Sequence, residues 1–216
     1  MRAAIFLNGA SEEPGLLLSA AEKADFVVAA DGGTRHALDA GIFPDLVVGD
    51  MDSLGEAKLR GAEELGVRLE RYPARKDKMD GHLAVIAACA RGATEVDLLC
   101  AFGGKFSALF AVPHLLLAAE RMGARAVAIA GWGRTFVMEA GSRTISGVRG
   151  DGVSIFPFTG PSSGVNLDGF VYPLEEARLE TGDTLGFHNE LAGREGRVSV
   201  REGTLLVIHE PEGAPE

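Results

Sequence analysis

Three aspartates in two short segments could together hold a divalent cation. Asp50 and Asp52 stand one residue apart in the segment GDMDS, which ends at Ser53, and Asp31 opens the segment DGG. Two carboxylates at this spacing repel each other unless a cation lies between them. Because magnesium binds through one or two carboxylates plus substrate phosphates, the spacing indicates a magnesium site for nucleotide phosphates. Alternatively, Asp52 or Ser53 caps a helix, although a cap explains one acid and not both.

Two glycine pairs could bring backbone amides close to phosphate oxygens. Gly32 and Gly33 follow the first of these aspartates, and Gly103 and Gly104 precede Lys105. Glycine lets the backbone approach an anion closely, and a helix that begins there adds its positive N-terminus. Each pair is a weak signal alone, because a turn from strand to helix often uses a capping aspartate and a glycine for purely structural reasons.

A basic segment supplies further candidates for phosphate binding in a chain that is otherwise acidic. Lys76 and Asp77 begin the segment KDKMD, which ends at Asp80, and Arg71 and Arg75 add positive charge just before it. Charge runs usually form a solvated face of a protein. Here the run adjoins a third carboxylate at the predicted start of a helix, so phosphate binding is the functional alternative.

These candidates must be positioned by an N-terminal region in which short apolar runs alternate with helical patterns. Such alternation predicts parallel strands joined by helical crossovers, which is the architecture of an α/β domain. The predicted strands are Ala3–Leu7, Phe26–Ala29, Leu46–Val48, Val96–Cys100 and Ala126–Ala130, and the predicted helices are Gly15–Lys23, Thr34–Asp39, Glu56–Leu65, Asp80–Ala90 and Ser107–Arg121.

The sequence pattern changes near Thr135. Helical periodicity fades, and short strand-like segments separated by glycine-containing turns predict an all-β domain. We therefore predict an α/β domain that binds nucleotide and magnesium over residues 1–135 and a β-sandwich domain over residues 136–216. The strand-like segments are Val137–Met138, Arg143–Ile145, Gly152–Phe156, Gly164–Leu167, Thr184–Phe187, Arg197–Val200 and Thr204–Ile208.

The composition argues against several classes of function. The formal net charge of -10 argues against a general nucleic-acid binder, but a bound divalent cation would still allow a phosphate ligand. No apolar segment reaches the roughly 18–20 residues that a membrane helix needs. The N-terminal segment MRAAIFLNGA has the pattern of a first strand and not of a secretory signal. We therefore expect a cytoplasmic protein without nucleic-acid or membrane partners.

The predicted topology brings the candidate loops together. In a parallel sheet the ligand site lies beyond the carboxyl ends of the strands, and the candidate loops follow predicted strands. At this edge the acids would hold magnesium, and the lysines and glycine amides would hold phosphate oxygens. These groups suit phosphoryl or pyrophosphoryl transfer, in which positioning and charge neutralisation supply most of the catalysis.

The order of these segments resembles the thiamine pyrophosphokinase family over nearly the whole chain. The most specific match is the GDMDS segment with the preceding Pro-Asp, and the other segments support it. In the N-terminal half the matching segments are Asn8-Gly9, Ala30–Gly33, Pro44–Ser53, Lys76–Asp80 and Gly103–Lys105, and in the C-terminal half they are Val153–Pro157, Gly169–Leu174 and His188–Glu190.

The resemblance implies a reaction, an assembly and a role for each candidate residue. ATP would donate its β,γ-pyrophosphoryl group to the hydroxyl of thiamine, with magnesium, giving thiamine diphosphate and AMP. The enzyme would be a homodimer that binds the vitamin between its subunits. Asp50, Asp52 and Asp80 would bind magnesium, and with Asp31 they form the catalytic set. The implied phosphate-binding residues are Gly32, Gly33, Ser53, Lys76, Asp77, Gly103, Gly104 and Lys105, and the implied acceptor-binding residues are His188 and Asn189.

The chain departs from the family pattern on the acceptor side. Met79 replaces a threonine, Ser107 and Ala108 replace an aspartate and a histidine, and His188 replaces a serine. Three alternatives follow: the site is arranged differently for thiamine, the acceptor is another alcohol such as a pterin, or the chain is a silent member that binds a nucleotide or thiamine compound. His188 could donate a hydrogen bond, act as a base or be an exposed histidine without a role.

Overall fold

The structure is a computed structural model that describes residues 1–51, 61, 64 and 66–213. Asp52, Ser53 and most of the predicted helix Glu56–Leu65 lie outside the described residues. The chain forms two compact units, Met1–Ala130 and Gly131–Glu216. The predicted domain boundary after residue 135 stays a prediction. In the described part of the chain, no helix combines the length and the apolar character needed to cross a membrane.

The first unit contains parallel strands that hydrogen-bond in the order β4-β3-β2-β1-β5-β6. These strands are β1 (Arg2–Phe6), β2 (Phe26–Ala30), β3 (Leu46–Gly49), β4 (Arg68–Arg71), β5 (Glu95–Leu99) and β6 (Arg125–Ala130). The inner strands are almost completely buried, which explains their continuous apolar runs, because a parallel sheet is covered on both faces. The α/β architecture and the five predicted strands of this unit are confirmed.

Four helices of the first unit lie within one residue of their predicted ends. They are α1 (Pro14–Glu22), α2 (Gly33–Asp39), α3 (Asp80–Ala90) and α4 (Phe106–Arg121). Helix α3 packs against β1, β2 and β3, whereas α4 packs against β6 and α3. Helices α2 and α3 begin directly after candidate loops, so the fold places the starts of these helices beside the predicted site.

The strand order contains one switch point, which lies between β1 and β5. From β1 the chain proceeds to β2, β3 and β4 on one side, and β5 and β6 then add to the other side. The loops that leave two such strands diverge, and ligands of open α/β sheets bind in the resulting crevice beyond the carboxyl ends. The loop after β1 and the candidate loop after β5 therefore flank the position where a ligand is expected.

The second unit consists of antiparallel pairs, in agreement with the predicted all-β class. In one group β12, β9, β14 and β7 hydrogen-bond in this order, and the other group is the sheet β11-β10-β13-β8. The strands are β7 (Gly133–Met138), β8 (Gly141–Ser146), β9 (Gly152–Pro157), β10 (Ser162–Asp168), β11 (Leu174–Leu179), β12 (Asn189–Glu190), β13 (Glu195–Val200) and β14 (Leu205–Glu210).

One predicted strand of the second unit is wrong, and three strands were not predicted: β4 of the first unit, and β11 and β12 of the second. Thr184–Phe187 forms a turn in which the Phe187 amide donates to the Thr184 carbonyl, and Leu185 is exposed. The short apolar pattern there has no buried face to support a strand. Strands β4 and β11 were missed because both stand at the end of a strand order, where charged residues are favoured over apolar ones. The third, β12, has only two residues.

A buried carboxylate in the second unit binds residues near the C-terminus of the chain. Asp151 is 2% exposed, and its Oδ2 lies 3.0 Å from Nε2 of His209. The Val148 amide donates to Oδ2 at 3.0 Å, and the Glu212 amide donates to Oδ1 at 2.8 Å. Burial opposes ionisation, but the hydrogen bonds from Glu212, Val148 and His209 together hold the pKa of Asp151 below its usual value.

Replacing this carboxylate is expected to destabilise the fold by an amount that depends on pH. At pH 7, Asp151→Asn should lower the free energy of unfolding by about 2–4 kcal/mol. The side-chain NH2 of asparagine would face a backbone or imidazole N–H, and two donors cannot hydrogen-bond to each other. The pKa of Asp151 is depressed in the folded state, so its carboxylate stabilises the fold above the ordinary carboxyl pKa of about 4. This stabilisation is lost as the pH falls through the folded-state pKa of Asp151.

The measurement is chemical denaturation of both proteins at pH 7 and pH 3. The difference between them should shrink at the lower pH, and Asp168→Asn, at the exposed end of β10, serves as the control. A difference of the same size at both pH values would contradict the account of Asp151.

Candidate active site

The carboxyl ends of three strands carry residues with left-handed backbone conformations. Asp31 after β2 has φ 44°, Met51 after β3 has φ 66°, and Cys100 after β5 has φ 50°. The left-handed conformation costs a residue with a side chain about 1–2 kcal/mol, and such strain is concentrated at functional sites. Three strained residues at one edge of one sheet mark this edge as the candidate site.

The loop after β3 is anchored in the core next to a candidate carboxylate. Met51 is 3% exposed and belongs to the apolar core of the first unit, together with residues of β1 and β2. Asp50, its neighbour, is only partly buried. The core contact therefore fixes the loop while the carboxylate remains at the surface of the sheet edge.

Asp31 and Asp80 converge over a glycine that ends β3. A Cβ built on Gly49 would lie 3.1 Å from Cβ of Asp31 and 3.1 Å from Oδ1 of Asp80. A side chain at this position would therefore push the two aspartates away, and the φ of 150° at Gly49 also favours glycine. The predicted juxtaposition of acids from separate loops is thus present for these two residues.

A lysine ammonium lies among the carboxylates. Lys76 Nζ is 2.8 Å from Asp80 Oδ1, and both atoms are shielded from solvent. The hydrogen bond with Asp80 raises the pKa of Lys76, the charges of Asp80, Asp50 and Asp31 raise it further, and burial opposes the shift. Lys76 therefore acts as the counter-ion of this group, which we call the acid cluster: Asp31, Asp50 and Asp80.

The acid cluster has the donor chemistry of a magnesium site. Across the described residues, no three histidine, cysteine, aspartate or glutamate side chains are placed to hold a metal ion. Magnesium needs only one or two carboxylates when phosphates and water complete its shell, and carboxylate oxygen is its preferred ligand. A cationic group already stands at the shielded Oδ1 of Asp80. The residues present therefore fit a bound cation.

Three of the four glycines in the two pairs, Gly32, Gly33 and Gly103, are required by packing as well as being phosphate-binding candidates. A Cβ on Gly33 would lie 2.1 Å from the carbonyl oxygen of Phe6, and one on Gly32 would lie 2.4 Å from Cγ of Asn8. In the second pair, a Cβ on Gly103 would lie 2.6 Å from Cβ of Ala10. Both turns therefore press against the loop that leaves β1, a reason for glycine that the sequence did not reveal.

The remaining phosphate-binding candidates of the first unit are exposed. Gly104, Lys105 and Asp77 are open to solvent, and Lys105 stands immediately before α4. Their assignment to phosphate binding stays a prediction, as does the magnesium role of Asp52 and the phosphate role of Ser53.

The residues that depart from the family pattern have identifiable positions. Met79 precedes α3 at its N-cap, where it makes no side-chain hydrogen bond. A threonine is a preferred capping residue at such a position, so this departure affects the start of a helix. Ser107 and Ala108 lie in the first turn of α4, beside the exposed and edge-to-face pair Phe106 and Phe110. The expected aspartate and histidine are thus replaced by a serine and an alanine that lie next to exposed apolar surface.

The acceptor-binding candidates of the second unit differ from each other in burial. Asn189 is 5% exposed, and its side chain donates to the carbonyl of Tyr172 and accepts from the amides of Tyr172 and Glu190. His188 is exposed, has φ 56° and lies edge-on to the ring of Phe187 at 4.2 Å between centroids. The Asn189 amide therefore holds the surrounding loop, and acceptor binding by both residues stays a prediction.

Two family models match the chain. The model described as thiamin pyrophosphokinase, catalytic domain, matches residues 17–128, which is more than half of the chain. The chain belongs to the thiamin pyrophosphokinase family. A second model, described as thiamin pyrophosphokinase, vitamin B1 binding domain, matches residues 143–205. The family resemblance inferred from the sequence segments is therefore confirmed in both halves.

Similar proteins agree with this assignment. The thiamine pyrophosphokinase of Bacillus subtilis (strain 168) is 29% identical over 182 residues, which cover 84% of this chain and 85% of the relative. A crystal structure of thiamine pyrophosphokinase from Bacillus subtilis superposes with a TM-score of 0.85 at 25% identity, covering 98% of this chain and all of that one. The thiamin pyrophosphokinase structure from Geobacillus thermodenitrificans gives a TM-score of 0.83 at 28% identity and 99% coverage of both chains.

These findings confirm the predicted fold and class of function. The chain is an enzyme, a transferase of the thiamine pyrophosphokinase type. No comparison favours a pterin acceptor or a silent binding protein over this function.

Proposed function

We propose that this thiamin pyrophosphokinase family member transfers the β,γ-pyrophosphoryl group of ATP to the hydroxyl of thiamine and releases AMP. The observation that supports the donor half is the acid cluster around Lys76 at the carboxyl edge of a parallel sheet. Such a group of charges suits a magnesium-bound polyphosphate, whose transfer is catalysed mainly by positioning and charge neutralisation.

The acid cluster would hold magnesium together with Asp52. Asp50 and Asp80 are the proposed ligands among the described residues, and Asp31 would lie where the phosphates meet the acceptor hydroxyl. Bound magnesium would neutralise charge on the triphosphate and orient it for in-line displacement. Lys76 would transfer its ion pair from the carboxylates to a phosphate oxygen when the nucleotide enters.

The phosphate loops would complete the donor site. Backbone amides of Gly32, Gly33, Gly103 and Gly104 would donate to phosphate oxygens, and the exposed ammonium of Lys105 would add positive charge. Ser53 and Asp77 would contribute polar groups from the loops beside them. The two glycine turns and the segment that begins at Lys76 each follow a strand of the same parallel sheet.

The acceptor would be held by His188 and Asn189 of the second unit. We propose a cytoplasmic homodimer that binds the vitamin between subunits, as the family resemblance implies. The exposed imidazole of His188 offers a donor or acceptor to a heteroaromatic ligand, while the Asn189 amide keeps the loop in place. Phe106 and Phe110 form an exposed apolar pair beside Ser107 and Ala108, which replace polar groups of the family pattern, and this pair would contribute to acceptor choice.

An acceptor comparison tests the proposed function. The purified protein is incubated with ATP, magnesium and either thiamine or a hydroxymethyl pterin, and AMP is quantified over time. We expect AMP only with thiamine. AMP formation only with the pterin would replace the proposed acceptor, and absence of AMP with both would favour a silent binding protein.

A further inference from the structure

The loop that leaves β1 lies between the two glycine turns of the proposed donor site. This segment, Leu7–Ala10, is called the bridging loop. Its Asn8 side chain packs against Gly32 on one side, and its Ala10 side chain packs against Gly103 on the other. Both contacts are so close that no Cβ fits on either glycine. The bridging loop therefore determines how far apart the two turns can be.

The bridging loop is firmly attached to the segment after β5. The Gly9 amide donates to the Cys100 carbonyl at 2.8 Å, and the Ala10 amide donates to the Phe102 carbonyl at 2.6 Å. A Cβ on Gly9 would lie 2.3 Å from the carbonyl oxygen of Phe102. The backbone alone thus fixes the loop on the β5 side of the switch point.

On the α2 side, a histidine side chain hydrogen-bonds to the backbone of the bridging loop. His36 lies one turn into α2, is 8% exposed, and its Nε2 is 3.0 Å from the carbonyl oxygen of Gly9. A carbonyl oxygen only accepts hydrogen bonds, so Nε2 carries the hydrogen and donates. This bond connects the helix that follows Asp31 and the glycine turn to the bridging loop.

We propose that His36 is a positioning residue that sets the geometry of the two phosphate-binding turns through the Gly9 carbonyl. It touches no substrate in this account, and the inference rests on the proposed function. Because a displacement of about 1 Å at a positioned group can lower a rate by about 100-fold, a single hydrogen bond between the turns is enough to matter. A histidine that merely fills the core would affect folding and leave nucleotide binding unchanged.

Two substitutions at this position separate positioning from packing. Glutamine can place its amide nitrogen close to the position of Nε2 and donate to Gly9, whereas leucine fills similar space without a donor. We expect His36→Leu to lower kcat/KM for magnesium ATP by at least about tenfold, mainly through a higher KM for ATP. His36→Gln should stay within about twofold of the wild type.

The measurement combines steady-state kinetics with hydrogen exchange of the Gly9 and Ala10 amides, and His114→Leu on the exposed face of α4 is the control. If the Gly9 and Ala10 amides exchange faster in His36→Leu and return to the wild-type rate in His36→Gln, the proposal is supported. This holds even if the leucine variant is poorly active for other reasons. Equal kinetics and exchange in the leucine and glutamine variants would overturn it. Inactivity of the wild type would instead count against the proposed function.

Discussion

Asp80→Asn is expected to lower kcat/KM for magnesium ATP by about 100- to 1,000-fold. The carboxylate is a proposed magnesium ligand, and it also forms an ion pair with Lys76, at 2.8 Å. Asparagine keeps the size of the side chain but removes the charge, so both interactions weaken at once. A single preorganised electrostatic contact in an active site commonly contributes this much to the rate.

Steady-state kinetics with saturating thiamine measure this effect, and circular dichroism verifies that the variant is folded. Asp39→Asn is the matched control, because Asp39 is an exposed aspartate at the end of α2 and lies outside the acid cluster. If Asp80→Asn kept kcat/KM within about threefold of the wild type, the acid cluster would not be the donor site.

Lys76→Gln is expected to have two effects of opposite sign. Activity with magnesium ATP should fall, because the ammonium would no longer bind phosphate. Affinity for a divalent cation without nucleotide should rise by at least about tenfold, because the ammonium that competes for Asp31, Asp50 and Asp80 is removed. One charge pair near a protein surface corresponds to several kcal/mol at an effective dielectric constant of about 20, which makes an effect of this size reasonable.

Manganese binding followed by electron paramagnetic resonance measures the cation affinity directly and without turnover. Lys23→Gln, at the exposed end of α1, provides the control for loss of a positive charge elsewhere. Unchanged or weaker manganese binding in Lys76→Gln would show that the ammonium and the metal do not share the acid cluster.

The arrangement of the first unit could be predicted because local pattern and tertiary environment agree there. Inner strands such as β3 are apolar since both faces are covered, and helices alternate with the strands along the chain. The edge strand β4 carries charges, so its sequence resembles a loop. In the second unit, Thr184–Phe187 shows that two apolar residues do not make a strand when neither is buried.

The acid cluster could be predicted in outline, because parallel strands bring their carboxyl ends to one edge. The contacts that organise it could not. Nothing local indicates that Gly49 makes room for Asp31 and Asp80, or that His36 donates to the carbonyl of Gly9. Both facts depend on segments far apart in the chain. The buried amide of Asn189 is a similar case, since its hydrogen bonds to Tyr172 are set by the fold of the second unit.

The central claim is the transfer of a pyrophosphoryl group to thiamine, and the fate of a labelled phosphate tests it most directly. The wild-type protein is incubated with thiamine, magnesium and ATP that is radiolabelled on its γ-phosphate, and the products are separated. We predict that the label appears in thiamine diphosphate and that AMP forms in an equal amount. Label in thiamine monophosphate together with ADP, or label only in inorganic phosphate, would contradict the account.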